Sequence, residues 1–213
     1  MSGPILFDLE TRADLAIDVP EFWAAQDIKA PSNFKDPLKI ADHIEKAEAA
    51  VRSRMALSAV TGVIVCIGVK SYQDEDEPIV FTANQADRAG EREILTEFAS
   101  WLAEEWDEKA PFITYNGRLF DLPFIAGRSM VQDLPIRTPQ ARDYRRHVDI
   151  YDDVLGKTSS QSIWQFAMGG GLKPVTGSAL LTLPLAELAQ HCKEDIQWLG
   201  AMAERTECIW LAR

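Results

Sequence analysis

Histidine and cysteine are scarce, at three residues each in a chain of 213, and the scarcity closes several routes. Cys66, Cys192 and Cys208 are odd in number and form no CxxC pair, so reduced thiols used in packing are expected rather than a disulfide framework. His43, His147 and His191 are widely spaced, which leaves no His/Cys cluster for a hydrolase built on imidazole and thiolate ligands. Positive charge is also short: 22 Lys and Arg against 33 Asp and Glu give a formal net charge of −11. A chain this acidic does not hold nucleic acid by a diffuse basic surface, because counterion release needs clustered Lys and Arg. No apolar run approaches the roughly 20 residues that span a bilayer, and Met1-Ser2-Gly3-Pro4 opens no basic-then-apolar leader. No membrane partner is therefore expected, and the expected location is cytoplasmic. Internal repeats and low-complexity tracts are absent from the sequence.

What is present is an ordinary globular composition, 46% hydrophobic and 26% charged with six Trp, enough for one good core. The expectation is a single domain over residues 1–213 with an insertion at about 12–58 between the first two strands. The stretch Ile5-Leu6-Phe7-Asp8-Leu9-Glu10-Thr11 organises the rest, since it places two acids at alternate positions in what otherwise reads as a buried strand. Side chains two apart on a strand share a face, so Asp8 and Glu10 stand side by side, roughly 6 to 7 Å apart at the backbone. Two carboxylates aimed one way repel and are costly to desolvate unless a cation or proton sits between them. Taken alone, the stretch reads equally well as a half-exposed strand with acids on its polar face.

Pro20, Pro31 and Pro37 break the start of the insertion into loops, and about Pro37 to Met55 reads as an amphipathic helix with Leu38, Ile40, Ala41, Ile44, Ala47 and Val51 on one stripe. That helix is expected to cover the sheet, with a clamp using Lys46, Arg52 and Arg54 as the other reading. Val60 to Lys70 suits a central strand apolar on both faces, and Ile79 to Thr82 is the next strand after the acidic turn Gln73–Glu77. Glu91 to Trp106 forms a helix with Ile94, Leu95, Phe98, Trp101 and Leu102 inward and acids elsewhere. Phe112 to Tyr115 is a short strand, Asn116-Gly117 turns the chain, and a helix runs from about Leu119 to Val131. Arg137, Arg142, Arg145, Arg146 and His147 make the one concentrated basic segment, either solvated charge or a strip for a phosphate backbone. His147 to Ile150 is a strand end, with Asp149 a structural cap for a helix starting at Tyr151. A helix over about 160–168, a glycine stop at 169–171, a polar loop over 173–182 and a long helix from Pro184 to about Leu211 complete the chain.

Three carboxylate motifs stand in order: Asp8-x-Glu10, Asn116-Gly117-Arg118-Leu119-Phe120-Asp121, and His191-Cys192-Lys193-Glu194-Asp195. Asp121 beside a buried helical face needs a partner, and His191 and Asp195, four apart, share nearly one helical face. Singly, Asp121 also reads as a surface helix residue and the His191 and Asp195 pair as a helix ion pair. Together the three motifs resemble the DEDD 3′-to-5′ exonucleases of the ribonuclease H-like fold. Phe7 to Thr11 matches the first motif, Asn116 to Asp121 the NxxxFD form of the second, and Asp195 the last acid. The strand at Val63 to Gly68 and the insertion before it resemble most the exonucleases related to the proofreading domain of family B DNA polymerases.

The resemblance implies an α/β fold with a mixed central sheet flanked by helices. It implies that Asp8, Glu10, Asp121 and Asp195 hold two divalent ions, Mg²⁺ or Mn²⁺, about 4 Å apart. It implies hydrolysis of the terminal phosphodiester at a free 3′ end, with single-stranded DNA as the expected partner and a nucleoside 5′-monophosphate as product. Thr11 would contact the terminal nucleotide, Asn116 would order the motif's turn, and Phe120 would pack near the end base. One departure stands out: relatives with this spacing usually carry Tyr four residues before the last acid, and here that position is His191. At 100° per residue His191 lies about 40° around the helix from Asp195, so it can face the same site. Its ordinary pKa near 6.5 suits a general base at neutral pH. The other readings are an exoribonuclease, whose acids would see the same phosphate, and a catalytically silent nucleic-acid-binding module on the same fold.

Overall fold

The computed structural model describes residues 3–17, 22–23, 26–157, 180 and 182–211. Within them a five-stranded sheet is built from β1 (Ile5–Ala13), β2 (Gly62–Ser71), β3 (Ile79–Thr82), β4 (Phe112–Thr114) and β5 (His147–Asp149), in the order β3-β2-β1-β4-β5. β1 pairs antiparallel with β2 and parallel with β4, so the sheet is mixed as expected, with β1 at its centre. Four α-helices flank it among the described residues: α1 (Pro37–Ala56), α2 (Arg88–Glu105), α3 (Asp121–Val131) and α4 (Leu185–Trp210). A 3-10 turn at Leu15–Ile17 follows β1, and a single π-helical turn at Ile150–Val154 follows β5.

The pleat of β1 divides the core into two layers. Ile5, Phe7 and Leu9 pack with Ile94, Leu95 and Phe98 of α2 and Leu122 and Ile125 of α3. Phe7 stacks on Phe98 with ring centres 5.8 Å apart and tilts against Phe112 at 5.2 Å. Leu6, on the opposite face, packs with Ile196, Leu199 and Met202 of α4. The acids Asp8 and Glu10 follow Leu6 on that second face, beneath the N-terminal half of α4, where the helix carries His191, Cys192 and Asp195. Gly68, which pairs with Asp8 across the ladder, permits this approach: a Cβ there would lie 2.7 Å from Ile196 and 2.8 Å from the Cys192 sulfur. α4 sits that close to the sheet because position 68 has no side chain.

Two sequence expectations change in the fold. The apolar stripe of α1 does not cover the sheet along its length, since Leu38 is 80% exposed and only Val51, Met55 and Ala56 are buried. The helix is anchored through its C-terminal end, where Val51, Met55 and Ala56 are buried, the Thr11 hydroxyl donates to the Ala56 carbonyl at 2.7 Å and Thr61 donates to Met55. The acids of α2 are not all on its solvent side: Glu91 is fully buried against Arg128 of α3. The basic segment is largely solvated charge, with Arg137 87% exposed beside Glu108, Arg142 and Arg145 exposed and Arg146 paired to Asp143, while His147 is buried in β5. The helix expected at 160–168 and the glycines at 169–171 lie outside the described residues, as does most of the loop at 173–182.

Candidate active site

The site is built on the C-terminal half of β1. A register shift between Glu10 and Thr11, where the partner on β2 jumps from Cys66 to Ile64, leaves Val65 as the extra residue of a bulge in β2, opposite the second acid. Bulges of this kind re-aim a side chain at the point where pairing is interrupted. Glu10 is 9% exposed and Asp8 half-buried, on the same face of the strand.

Asp121 reaches β1 from the other direction. It is the first residue of α3 and almost fully buried, and its Oδ1 accepts the backbone N–H of Leu9 at 3.0 Å. The β1–β4 pairing extends only to Leu6 and Ile113, so the carboxylate takes the place of a strand partner further along β1. Burial pushes the Asp121 carboxyl up to about 7, and the charges of Glu10 and Asp149 push the same way against the two backbone hydrogen bonds that favour the anion. A cation placed among these carboxylates would restore the charged form, which is the behaviour expected of a metal ligand.

The turn that delivers Asp121 is held by groups from β4, β5 and the π turn. Asn116 adopts the left-handed region at φ +66°, and the Asp149 carboxylate accepts the N–H of Asn116 on one oxygen and that of Arg118 on the other, each at 2.9 Å. Between them the N–H of Gly117 donates to the Thr114 hydroxyl, where a Cβ at 117 would come within 2.5 Å of Thr114. Thr114 in turn lies 2.9 Å from Nε2 of His147, whose Nδ1 is 3.0 Å from the Ala141 carbonyl. Since a carbonyl only accepts, Nδ1 carries the proton and the Thr114 hydroxyl donates to Nε2. Arg118 completes the frame: it forms a two-pronged contact of 2.6 Å per bond with Asp153, reaches Asp152 at 3.0 Å and lies over the Tyr144 ring.

The third motif arrives on α4. His191 Nδ1 lies 3.3 Å from Glu10 Oε1 and 3.5 Å from Asp195 Oδ2. One donor atom from each of Glu10, His191 and Asp195 lies within 4.8 Å of the other two. The next residue on the helix, Cys192, directs its thiol at Asp8 Oδ2 at 3.9 Å, and burial pushes that thiol well above its ordinary pKa, so it stays protonated.

The structure thus brings Glu10, His191 and Asp195 together, sets Asp121 against Leu9 with its carboxyl feeling the charge of Glu10, and places Asp8 on the shared face of β1 against Cys192. Of the three residues expected to touch substrate, Thr11 uses its hydroxyl to hold α1, Asn116 shapes the turn through its backbone, and half-buried Phe120 packs on Phe124 at 5.4 Å. Sequence reasoning identified Asp149 only as a cap. It does accept from Tyr151 and Asp152, but its bonds to Asn116 and Arg118 were not foreseen, nor was the Thr114 and His147 pair. The Asn-Gly dipeptide was the available signal that the turn needed outside support.

The model of the RNase H superfamily matches residues 55–176, a span that takes in Asp121 and Asp149 but neither Glu10 nor Asp195. No curated protein matches the chain in sequence. Among solved structures, the family B DNA polymerase from the hyperthermophilic archaeon Pyrobaculum calidifontis is similar over 95% of this chain at 17% identity, with a TM-score of 0.58. The chain spans 24% of that polymerase, so the likeness is to one portion of it and is a likeness of fold.

Proposed function

The chain belongs to the RNase H superfamily, and from that membership and the convergence of its three acidic motifs we propose that it is a metal-dependent 3′-to-5′ exonuclease acting on single-stranded DNA. The observation that carries the reading is the meeting of Glu10 with Asp195 and His191, from opposite ends of the chain, beside the buried carboxylate of Asp121. Acids drawn from β1, α3 and α4 have no packing reason to share one place, and their mutual repulsion needs a compensating positive charge.

Asp8, Glu10, Asp121 and Asp195 are the residues that would hold divalent ions, and their oxygen donors suit hard cations such as Mg²⁺ or Mn²⁺. When bound, such ions supply the charge that acidifies water and stabilises the departing 3′ oxygen. The chain's own contribution is placement. β1 fixes two carboxylates on one face, the Leu9 N–H orients Asp121, and the Cys192 thiol restrains one oxygen of Asp8. In the reaction a water oxygen attacks the terminal phosphorus, the bond to the 3′ oxygen of the preceding nucleotide breaks, and that oxygen leaves as a hydroxyl. The terminal nucleoside 5′-monophosphate departs.

The test is incubation of 5′-labelled single strands of DNA and RNA with Mg²⁺ or Mn²⁺, with chelator and the Asp8→Ala variant as controls. A ladder shortening from the 3′ end on DNA, lost in both controls, supports the proposal. Cleavage of RNA alone would move the reading to an exoribonuclease, and binding without cleavage of either polymer would move it to a silent module.

A further inference from the structure

A basic and aromatic strip flanks the turn that carries Asp121. We propose that the segment from Arg142 to Arg145 grips the single strand on the 5′ side of the bond to be cut, with the Tyr144 ring stacking on a base and Arg142 and Arg145 meeting phosphates. The purpose of the strip rests on the nuclease reading; its affinity for a single strand stands on its own residues.

Three observations converge. The first is charge. From Leu134 to His147 the chain carries four arginines and one acid, Asp143, a net of +3 in a protein of net charge −11. Arg146 takes Asp143 at 2.7 Å, whereas Arg142 and Arg145 are exposed and hold no ion pair among the described residues. Their charges are left for a ligand, and a phosphate backbone releases counterions on meeting them. The second is the ring. Tyr144 lies against the Arg118 guanidinium, 4.5 Å from the ring centre, and is still 59% exposed. The edge of that guanidinium is engaged by Asp153, Asp152 and the Ala141 carbonyl, so its orientation is fixed. One face of the ring therefore rests on a held cation and the other is open, a stacking surface that needs no ordering when a base arrives. An acidic peptide would use the two arginines but not the open ring face; a nucleobase uses it. The third is position. Arg118 stands three residues before Asp121, which puts their Cα atoms within about 11 Å. Leu119 between them is 66% exposed, so the turn itself presents apolar surface beside the strip. A strand whose 3′ end lies at the acids has only its 5′ side left to reach Tyr144.

The assignment makes Tyr144 a binding residue that touches no reacting atom, so its contribution is read in affinity, without cleavage.

The experiment measures fluorescence anisotropy of a 5′-labelled oligothymidylate with the full chain in chelator, where no cleavage occurs. Wild type is compared with Tyr144→Leu, which still covers Arg118 but has no stacking face, with Tyr144→Phe, and with the double variant Arg142→Gln/Arg145→Gln, each checked for fold by circular dichroism. Loss of the stack is expected to weaken binding at least about fivefold in Tyr144→Leu, with Tyr144→Phe close to wild type. The double variant should lower the slope of log affinity against log salt by about 1.4, at about 0.7 for each lost phosphate contact of a single strand. A 2-aminopurine base moved along the strand should show a difference between wild type and Tyr144→Leu at an internal position and none at the 3′-terminal nucleotide. Wild type that does not bind in chelator, equal affinity and salt slope in all variants, or polyglutamate competing as well as the oligonucleotide overturns the proposal. Cleavage in Mg²⁺ by a protein whose binding ignores these residues would sink the strip and leave the exonuclease reading standing. Tyr144-dependent binding without cleavage in Mg²⁺ or Mn²⁺ would do the reverse.

Discussion

Asp121 accepts a hydrogen bond from the backbone N–H of Leu9 at 3.0 Å, so the acid of the second motif is tied to the peptide lying between the two acids of the first. Its carboxylate therefore has two duties, to satisfy a buried donor and to carry charge, and substitution separates them. Asp121→Ala leaves the Leu9 N–H without an acceptor and is expected to cost about 1 to 3 kcal/mol. Asp121→Asn keeps an acceptor oxygen while removing a charge that burial opposes, since the carboxyl is pushed up to about 7. In chelator at about pH 8, above that value, the Asn variant should be at least as stable as wild type and should have no nuclease activity. Urea midpoints of the three proteins check this, and equal losses in Ala and Asn would show that the bond to Leu9 contributes nothing.

A second consequence concerns the ion pair between α2 and α3. Glu91 and Arg128 are both fully buried, and Glu91 also accepts the N–H of Ile64 in β2 at 2.8 Å and an N–H from Gln132. Removing one member leaves the other charge uncompensated in the core, which typically costs about 3 to 5 kcal/mol. Arg128→Met should fall in that range. The double variant Glu91→Gln/Arg128→Met should recover part of the loss, because an amide at position 91 carries no charge and still offers Ile64 an acceptor. Denaturant midpoints read both, and a double variant no better than the single would show that the lost charge pairing is not the cause.

Much of the architecture could be read from the residues. Ile79 to Thr82 is a strand with the limits that its β-branched run suggests, and β1, β2, α2 and α4 fall within a few residues of where periodicity puts them. Periodicity records which side of an element is apolar, but not what lies against it. The stripe of α1 was therefore legible while its exposure was not: the helix is buried at its C-terminal end, from Val51 on, leaving Leu38 outside. Glu91 illustrates the same limit in reverse. An acid near a helix start reads as solvated, and its burial depends on an arginine 37 residues away in sequence. In the site, the acids were legible because their types and spacing are unusual for a core. The turn that carries Asp121 was not, because Asp149 acts on Asn116 and Arg118 from 33 and 31 residues further along the chain.

His147 supplies a pH dependence of known sign. Burial lowers its pKa below the ordinary value, outweighing the Ala141 carbonyl and the Asp149 and Asp153 charges, which favour the proton; Arg118 acts with burial. The folded state thus holds His147 neutral, accepting from Thr114, while the unfolded chain takes up a proton near pH 6.5. Because the unfolded state binds more protons there, this contribution to stability is present above about pH 6.5 and is lost as pH falls below it. Melting temperatures of wild type and His147→Gln between about pH 7.5 and 5.5 test this: wild type should lose more on acidification than the variant. Parallel curves would mean that His147 titrates alike in both states.

The last expectation follows from Asp149 as the clasp of the turn. One of its oxygens accepts from Asn116, Tyr151 and Asp152, and the other from Arg118. Asp149→Ala removes every acceptor and frees a left-handed Asn116 whose conformation costs energy without support. The turn then shifts, and Asp121 with it. A displacement of about 1 Å at a reacting group can cost on the order of a hundredfold in rate, so on the exonuclease reading Asp149→Ala should lose about that much in kcat while DNA binding is retained. Asp149→Asn keeps one acceptor oxygen and loses mainly the bond to Arg118, so its rate should lie between those of Ala and wild type. That order distinguishes positioning from ligation: a metal ligand would lose as much with Asn as with Ala, and would lose ion affinity in both. Single-turnover cleavage of a 5′-labelled strand, with ion titration of the same variants, separates the two, and an Ala variant as fast as wild type would remove Asp149 from any role in placing Asp121.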